Sequence, residues 1–351
     1  MNKISKDWGA YLSRKTSLPL VPPDVLQLVI TIRCNLTCKS CNVWRQPFDL
    51  NSELSFNEIK EILNESAAWG ITELNILGGE PFIRSDWEKI VSYAKEKGLS
   101  VLVVSNGTLI NIELAQRIAD CGLDVILISL DGAKKETHDR LRGEGMFERI
   151  LQGIETLSRL SKNKTPKIVL TLTVSKENLF ELEEYINLAR HLSVEGVYFT
   201  PLLLDNIHLF SRKKIHDLWV EEKYLPDLDK IFASVYRYAK TKGYDLFHPS
   251  FKLLPKYFRG ELKKGDWVCF AGLNRLVVNH AADIQICGQA VGNLRKAKSL
   301  KKIWGSRTAY KRRRFVKNCA NYCLQDCYTR VNSEKLKTII KNCLKINLPS
   351  E

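Results

Sequence analysis

The sequence lacks any long apolar run. No hydrophobic stretch approaches the ~18 residues that a membrane-spanning helix needs. The opening stretch MNKISKDWGAYLSRKTSL has no apolar region of the kind found in secretory signals. We therefore expect no membrane span and a cytoplasmic location. Because thiols stay reduced in that compartment, the ten cysteines indicate metal or redox work and not disulfides.

Paired histidine ligands and nucleic-acid motifs are also missing. The six histidines form no ligand pair of the kind that holds zinc. Stacking aromatics are sparse in the most basic part of the chain, and no known nucleic-acid motif occurs there, so the sequence does not favour nucleic acid as a partner. Internal repeats beyond a βα unit and low-complexity segments are absent as well.

The size and composition are those of an ordinary globular protein. The 351 residues are 44% hydrophobic and 26% charged, which is enough for one large domain or two. The net charge of +15 is concentrated near the end, since from position 289 onward 16 Lys and Arg face 3 Asp and Glu. This basic segment, which contains KRRR at 311–314, is either a solvated face or a surface for an anionic substrate, an acidic protein or nucleic acid.

Short apolar runs alternate with amphipathic stretches over residues 24–202. The predicted strands lie at 26–32, 72–77, 100–105, 124–130, 167–174 and 196–202, and the predicted helices lie at 56–70, 86–98, 112–122, 147–160 and 179–192. Three of these helices end at glycines in C-cap positions, namely Gly70, Gly98 and Gly122. Apolar strands that alternate with helices predict a parallel sheet. Six such units predict an α/β fold, a partial (β/α)6 TIM-like barrel with its chemistry at the carboxyl ends of the strands.

We expect five segments along the chain. They are an N-terminal extension over 1–23, the core barrel over 24–202, a helical bridge over 203–265, a small C-terminal Cys-rich α+β domain over 266–330, and a basic C-terminal helix over 331–351. Within the Cys-rich domain the pattern predicts a hairpin near 274–287 and a helix near 299–315.

Three cysteines stand together in TIRCNLTCKSCNVW, directly after the first predicted strand. They are Cys34, Cys38 and Cys41. Thiolates are soft ligands that suit iron–sulfur clusters or zinc, but a structural zinc site needs four ligands and only three occur here. We favour a cluster held by three thiolates, with one iron left open to a substrate or cofactor. Zinc with a distant fourth ligand and buried thiols are the alternatives.

Further motifs follow the next three predicted strands, namely LGGEP at 77–81, SNGT at 105–108 and ISLDG at 128–132. Each alone is a common turn. Glycines allow close backbone approach, Glu80 can accept a hydrogen bond from an ammonium group, and the guanidinium of Arg142 suits a carboxylate. For Asp131 a helix cap and for His138 a structural role are the simpler interpretations.

In this order the motifs resemble those of the radical S-adenosylmethionine (SAM) superfamily. The resemblance implies a [4Fe–4S] cluster on Cys34, Cys38 and Cys41 whose open iron binds SAM. One electron then cleaves SAM to methionine and a 5′-deoxyadenosyl radical, which abstracts a hydrogen atom from the substrate. The family often has an aromatic residue where this chain has Ser40, so the contact near the adenine is altered or is supplied by Trp44. The residues that the resemblance assigns to SAM are Gly78, Gly79, Glu80, Asn106, Ser129 and Arg142.

A second cysteine set occupies the C-terminal part, with GNLRKAKSLKKIW at 292–304 between its halves. It resembles the SPASM or shorter twitch extension of radical SAM enzymes, which makes the Cys-rich domain an iron–sulfur domain with one or two auxiliary clusters. Because the spacing here is C-x3-C-x3-C, we expect one cluster on Cys269, Cys287 and two of the last three cysteines. The alternatives are two incomplete clusters completed by Asp326 or Cys343, and a zinc site. The five expected ligand positions are Cys269, Cys287, Cys319, Cys323 and Cys327. For Cys121 we expect core burial.

The resemblance implies hydrogen abstraction but does not name the substrate. The first hypothesis is modification of a peptide or protein. Only 33 residues precede Cys34, so a separate leader-peptide-binding protein would present the peptide. The second is oxidation or rearrangement of an anionic small molecule, such as a phosphorylated or nucleotide-linked sugar or a lipid headgroup. A remote alternative is a zinc-binding protein that binds nucleic acid. We also expect an acidic electron donor, flavodoxin or ferredoxin, to dock on a basic face that includes Lys311 to Arg314.

Overall fold

A single nine-stranded sheet organises the molecule. The computed structural model describes residues 3–161, 166–203, 217–244, 246, 249–263, 265–319 and 323–325. Its strands follow the order β6-β5-β4-β3-β2-β1-β7-β8-β9 across the sheet. In chain order they are β1 (Val25–Thr31), β2 (Glu73–Gly78), β3 (Ser100–Ser105), β4 (Val125–Ser129), β5 (Lys167–Val174), β6 (Gly196–Pro201), β7 (Arg275–Val278), β8 (Asp283–Ile286) and β9 (Gln289–Asn293).

The first six strands form the predicted parallel barrel sheet. Each of β2 to β6 pairs in parallel with the strand that precedes it in the chain, and all six strands begin and end within about one residue of the predicted bounds. Their side chains are largely buried, and along β1 five of the seven are. Near-continuous apolar strands are buried by helices on the outside of such a sheet, so the α/β partial-barrel prediction is confirmed.

Twelve α-helices lie within the described ranges. They are α1 (Lys3–Thr16), α2 (Phe56–Trp69), α3 (Trp87–Glu96), α4 (Ile112–Asp120), α5 (Lys135–Arg142), α6 (Met146–Leu160), α7 (Leu182–His191), α8 (Leu228–Thr241), α9 (Leu254–Phe258), α10 (Leu294–Ala297), α11 (Leu300–Trp304) and α12 (Arg307–Lys317). Local signals explain their ends: Ser55 and Glu58 form a capping box at the start of α2, and Gly70 ends it with φ 94°.

The cysteine-rich part extends the barrel sheet. Strand β7 pairs in parallel with β1, while β7 with β8 and β8 with β9 are antiparallel. The hairpin predicted near 274–287 is therefore present, and it is hydrogen-bonded to the strand that precedes the first cysteine loop. One core cluster contains apolar residues from both parts, such as Leu26 of β1 and Leu276 of β7.

Three helical details differ from the sequence prediction. The helix expected over 299–315 is two helices, α11 and α12, because the chain turns at Gly305 and Ser306 and the Ser306 side chain caps α12. Helices α1 and α5 were not predicted. Over 203–265 the described residues are mainly helical, as expected. The C-terminal helix expected over 331–351 lies outside the described residues.

No helix in the part of the chain that the structure describes is both long and apolar enough to cross a membrane.

Candidate metal and cofactor site

The first three cysteines lie in the loop after β1, at the carboxyl end of the parallel sheet. Cys38 is buried and Cys34 and Cys41 are half-buried, and the backbone N–H of Cys41 donates to the Cys38 carbonyl at 3.2 Å. Burial raises the pKa of all three thiols, and the charge of a neighbouring thiol in the loop raises each one further. The structure therefore brings Cys34, Cys38 and Cys41 together as predicted, and metal binding there would displace protons.

The three thiols are not arranged around one point. Within the described ranges, no three His, Cys, Asp or Glu side chains converge as ligands of a single metal ion. Thiolates that share one zinc all lie about 2.3 Å from it. The ligands of a [4Fe–4S] cluster bind separate iron atoms, so a loop that supplies three spaced thiols fits such a cluster.

The GGE turn of LGGEP holds the residues that lead into the cysteine loop through its backbone. The N–H of Gly79 donates to the Thr31 carbonyl at 2.9 Å, and the N–H of Glu80 donates to the Arg33 carbonyl at 2.8 Å. A Cβ at Gly78 would lie 2.5 Å from the Thr31 oxygen, and one at Gly79 would lie 2.1 Å from the Arg33 oxygen. Any larger residue would therefore push the end of β2 away from the residues that lead into Cys34.

Glu80 is fully buried and ties β2 to β3. Its Oε1 accepts from Ser105 Oγ at 2.9 Å and from the N–H of Phe82 at 3.2 Å, and its Oε2 accepts from the N–H of Asn106 at 2.7 Å. Burial raises the pKa of Glu80 to about 7, against these three hydrogen bonds. A carboxylate has about four acceptor positions, so one position on Oε2 can still accept a hydrogen bond from an ammonium group.

Asn106 connects the turn after β3 with the cysteine loop. Its Nδ2 donates to Asn35 Oδ1 at 2.9 Å and lies 3.9 Å from Cys34 Sγ. Its Oδ1 accepts from the N–H and the hydroxyl of Thr108, and Asn35 Nδ2 donates to Thr108 Oγ1 at 2.8 Å. The amide thus orients the residues around one thiol.

Arg142 lies between Asp131 and the thiols. Its Nε donates to Asp131 Oδ2 at 2.7 Å, and the two side chains are 13% and 2% exposed. The charge of Arg142 lowers the pKa of Cys38 and Cys41, against the larger effect of burial. Burial also disfavours the charged guanidinium, but Asp131 and Cys38 outweigh that effect and raise the pKa of Arg142. The structure therefore places a cation beside two of the three expected cluster ligands.

The helix-cap interpretation of Asp131 is wrong. Helix α5 begins at Lys135 with Lys134 in the cap position. The Asp131 carboxylate instead binds Arg142 and accepts from the N–H of Thr173 at 2.9 Å. Because Asp131 is buried and pairs with a residue eleven positions later, it holds Arg142 in place.

His138 is buried and Ser129 lies half-buried at the end of β4. His138 Nδ1 accepts from the N–H of Asp131 at 3.1 Å, and burial lowers the pKa of His138 to about 4. This geometry agrees with a structural role for a neutral imidazole. Ser129 is the last residue of β4, so it lies at the same carboxyl edge of the sheet as the thiol loop, and its Oγ lies 3.5 Å from Thr171 Oγ1.

A group of charged residues below the thiol loop was missed by the sequence analysis. The Glu53 carboxylate accepts from Thr31 Oγ1 and, at 3.4 Å, from Arg33. Arg84 donates to the carbonyls of residues 30 and 54 and pairs with Asp86 at 2.7 Å. These contacts link β1 and the residues directly after it to segments 20 to 54 positions away, and no short motif predicts them.

The four described cysteines of the second set, Cys269, Cys287, Cys319 and Cys323, lie close enough to influence one another's charge, although within the described ranges no three of them converge on a single metal ion. Cys323 and Cys287 raise the pKa of Cys269, and Cys319 raises that of Cys287. Burial is the larger cause in each case and takes the pKa of Cys269 to about 12 and that of Cys323 to about 11. Four soft donors from three separate segments fit an auxiliary metal–thiolate centre.

Cys287 occupies an unusual backbone position. It forms the two-residue turn between β8 and β9 with Gly288, and the φ angles are 49° for Cys287 and 71° for Gly288. Positive φ at both central residues is the signature of a type I′ hairpin turn, which favours Asn, Asp and Gly. A cysteine there bears a conformational cost, and its role as an expected metal ligand is a reason for a cysteine at this position.

Three expected or alternative ligands, Cys327, Asp326 and Cys343, lie outside the described residues. Cys121 is partly buried, its Sγ lies 3.3 Å from the Ile118 carbonyl, and burial raises its pKa to about 11. It belongs to neither thiol group.

The KRRR segment is not a uniform basic surface, which corrects part of the docking prediction. Lys311 and Arg314 of α12 are exposed and Arg312 is half-buried, but Arg313 is only 2% exposed. Arg313 donates to the carbonyls of Gly272 and Trp304, so it anchors the helix. Only the exposed members can contribute to a docking surface.

Known proteins resemble the part of the chain that contains this site. Residues 28–189 match the Radical SAM superfamily profile. Over 171 residues the chain is 36% identical to an AdoMet-dependent heme synthase from Methanosarcina barkeri, and the alignment spans 48% of each protein. Over 170 residues it is 33% identical to the mycofactocin maturase MftC of Mycolicibacterium smegmatis, spanning 48% of this chain and 42% of the maturase. The chain thus spans less than half the length of these curated relatives.

Solved structures resemble almost the whole chain. Streptococcus suis SuiB bound to S-adenosylmethionine superposes with a TM-score of 0.68 at 15% identity, covering 94% of this chain and 78% of SuiB. The complex of SuiB with its precursor peptide SuiA gives a TM-score of 0.67 at 16% identity, covering 93% and 75%. At this level of identity the similarity establishes the fold.

Proposed function

We propose that the chain is a radical SAM enzyme, because its residues 28–189 match that superfamily, and that Cys34, Cys38 and Cys41 hold a [4Fe–4S] cluster beside a SAM site. The observation that carries the proposal is a loop with three neighbouring thiols, which is hydrogen-bonded to the GGE turn at the carboxyl end of the sheet. When bound, the two groups supply a one-electron cleavage of SAM and a carbon radical that removes hydrogen from an unactivated C–H bond.

The residues around the thiols would bind and orient SAM. Glu80 has one acceptor position left for the amino group, and it is already positioned by three hydrogen bonds. Arg142, held by Asp131, offers its remaining guanidinium N–H groups to a carboxylate. Gly78, Gly79, Asn106 and Ser129 complete the set of residues that we assign to SAM.

The second thiol set would hold one auxiliary iron–sulfur cluster. Cys269, Cys287, Cys319 and Cys323 lie near one another, which supports the expected choice of Cys269, Cys287 and two of the last three cysteines. Four thiolates are a complete ligand set for such a cluster.

We propose that the substrate is a peptide or protein. Support comes from the solved structures, since SuiB was determined with a precursor peptide and anSMEcpe, which superposes with a TM-score of 0.66 at 15% identity, was determined with a bound peptide. The name of the 33% identical relative MftC is that of a maturase.

An anionic small molecule is the second candidate. Two relatives from Methanosarcina barkeri, 36% and 31% identical, are named AdoMet-dependent heme synthase and Fe-coproporphyrin III synthase. A coproporphyrin carries carboxylates, and an excess of cations on the protein suits a substrate of that charge.

The test of the reaction class is anaerobic reconstitution with iron and sulfide, followed by SAM and dithionite. We expect about eight iron atoms per chain for two [4Fe–4S] clusters and formation of 5′-deoxyadenosine. Cys34→Ala, Cys38→Ala and Cys41→Ala should each abolish its formation, and Cys121→Ala serves as the matched control. Retained activity in one of the three would remove that cysteine from the ligand set.

A second assay separates the two substrate classes. The reconstituted protein is incubated with SAM, dithionite and Fe-coproporphyrin III, and the porphyrin mass is followed. If the substrate is a peptide, we expect the mass of the porphyrin to stay unchanged and the mass of a short peptide encoded beside this gene to change. Loss of carboxyl groups from the porphyrin would instead support the small-molecule candidate.

A further inference from the structure

Two arginines surround the second thiol set and join segments that are far apart in the chain. Arg14 of α1 donates through Nε to the Cys269 carbonyl at 2.8 Å and through a terminal nitrogen to the Lys317 carbonyl at 3.1 Å. Arg312 of α12 donates to the carbonyls of Ile286 and Cys287 at 3.1 and 2.9 Å. Between them they contact all three segments that bring cysteines to this site.

The N-terminal helix is thereby built into the site. Ala10 of this helix and Val21, which follows it, pack in one apolar cluster with Phe270 and Leu273. Phe270 is the residue directly after Cys269. Lys317 in turn donates through Nζ to the Lys15 carbonyl. The end of α1 and the end of α12 are therefore joined by two hydrogen bonds, from Arg14 to the Lys317 carbonyl and from Lys317 to the Lys15 carbonyl. Lys317 lies two residues before Cys319.

Each guanidinium group lies at the backbone of one cysteine of the site, with Arg14 bound to the Cys269 carbonyl and Arg312 bound to the Cys287 carbonyl. Among the described residues, no carboxylate pairs with Arg14 or Arg312, whereas Arg84, Arg142 and Arg295 each pair with one. A partly buried cation without a counter-charge is unfavourable, and an anionic metal–thiolate centre would supply that charge.

We propose that Arg14 and Arg312 are positioning residues of the second thiol site, and that they both brace its segments and balance the negative charge of a metal–thiolate cluster. This inference rests on the auxiliary cluster of the proposed function. A [4Fe–4S] cluster with four thiolates becomes more negative on reduction, so nearby cations favour the reduced form and raise the reduction potential.

The test uses a parent variant in which Cys34, Cys38 and Cys41 are all alanine, so that only the second site contributes a signal. Its reduction potential is measured by redox titration followed by electron paramagnetic resonance, at about 0.15 M salt, where the screening length is about 8 Å. Arg14→Gln, Arg312→Gln and the double substitution are compared with Arg314→Gln, which removes an exposed charge from the same helix.

We expect each glutamine variant to shift the potential to more negative values, the double variant to shift it further, and Arg314→Gln to have the smallest effect. Arg14→Lys keeps the charge but lacks the forked donors. Its reduction potential should therefore stay close to that of the parent. It should nevertheless lose iron to a chelator several-fold faster than the parent.

Unchanged potentials in iron-loaded Arg14→Gln and Arg312→Gln, or an equal shift in Arg314→Gln, would overturn this inference and leave the auxiliary cluster of the proposed function in place. A parent variant that binds no iron would remove the auxiliary cluster, and this inference with it, while SAM cleavage by the intact chain would still test the first site.

Discussion

Glu80 places a carboxyl group in a fully buried position beside the thiol loop. Its pKa is about 7, against an ordinary value of 4.5, chiefly because burial disfavours the charge. Between these pH values the folded protein keeps a proton that the unfolded chain releases, so this group's contribution to stability is present below about pH 4.5 and is lost as the pH rises through 7. The loss is roughly 3 kcal/mol at 1.36 kcal/mol per pKa unit.

We therefore expect Glu80→Gln to flatten the pH dependence of unfolding in the metal-free protein. The melting temperatures of both proteins are compared at pH 5.5 and pH 7.5 by circular dichroism. Glu61→Gln, at an exposed position of α2, should melt with the pH dependence of the unsubstituted protein. An equal change in both substituted proteins would show that the buried carboxyl does not cause the effect.

Cys287 gives a second prediction for a single residue. Its φ of 49° costs a non-glycine residue roughly 1–2 kcal/mol, and asparagine tolerates that conformation better than cysteine does. Cys287→Asn should therefore stabilise the metal-free protein by about 1 kcal/mol while lowering the iron content by about four atoms per chain. Chemical denaturation and iron analysis measure the two effects, with Cys121→Ser as a control that leaves iron unchanged. Full iron loading of Cys287→Asn would exclude Cys287 as a ligand.

At the scale of elements, the contact between β2 and the loop after β1 decides the shape of the first site. A methyl group on Gly79 would lie 2.1 Å from the Arg33 oxygen. That oxygen belongs to the backbone and the position of a Cβ is fixed by its own backbone, so neither atom can turn aside. Gly79→Ala should move the cysteine loop, cost about 1–3 kcal/mol of stability, and lower both the iron bound at the first site and the yield of 5′-deoxyadenosine.

The matched control is Gly305→Ala, at a residue with φ −80° whose nearest atom would lie 3.3 Å from the added Cβ. It should retain iron and activity. Wild-type iron content and cleavage in Gly79→Ala would show that the loop does not depend on this contact.

For the whole molecule, the arrangement of strands links the two thiol sets. The hairpin that presents Cys287 is attached to β1 through β7, and the N–H of Leu54 donates to the His280 carbonyl at 2.8 Å. Arg295 binds both the Glu53 carbonyl and the Glu58 side chain. The segment that contains Glu53, which contacts the residues before Cys34, therefore also contacts the cysteine-rich part.

The exposed cations of α12 yield a prediction about the electron donor. Lys311 and Arg314 are exposed near the second thiol set, and association with an acidic flavodoxin would be steered by their charge. The double variant Lys311→Glu and Arg314→Glu should slow reduction by flavodoxin about 10-fold at low salt. The difference should vanish near 1 M salt, where the screening length is about 3 Å.

Stopped-flow measurement of the reduction rate across a salt series tests this prediction. The control replaces two exposed lysines elsewhere, Lys89 of α3 and Lys240 of α8, with glutamate. Equal slowing in both double variants would indicate an effect of net charge and not of a docking surface.

Local pattern was sufficient for the barrel strands, most of its helices and the residues of the thiol loop. Alternation of apolar strands with capped helices is determined by neighbours in the chain. Because parallel strands bring their carboxyl ends to one edge, the motifs that follow β1 to β4 could be assigned to one site. The break between α11 and α12 was missed because the sequence on both sides of Gly305 and Ser306 is helical, so the pattern looked continuous.

Only the tertiary structure decided what the isolated charges do. Arg14 binds a carbonyl 255 positions away, Arg313 is buried inside a segment that looks uniformly basic, and Asp131 holds Arg142 instead of capping a helix. The placement of β7 beside β1 belongs to the same class. Each depends on packing between segments that are distant in the chain, where burial and a specific partner determine the role of a charge, and neither is encoded in the adjacent residues.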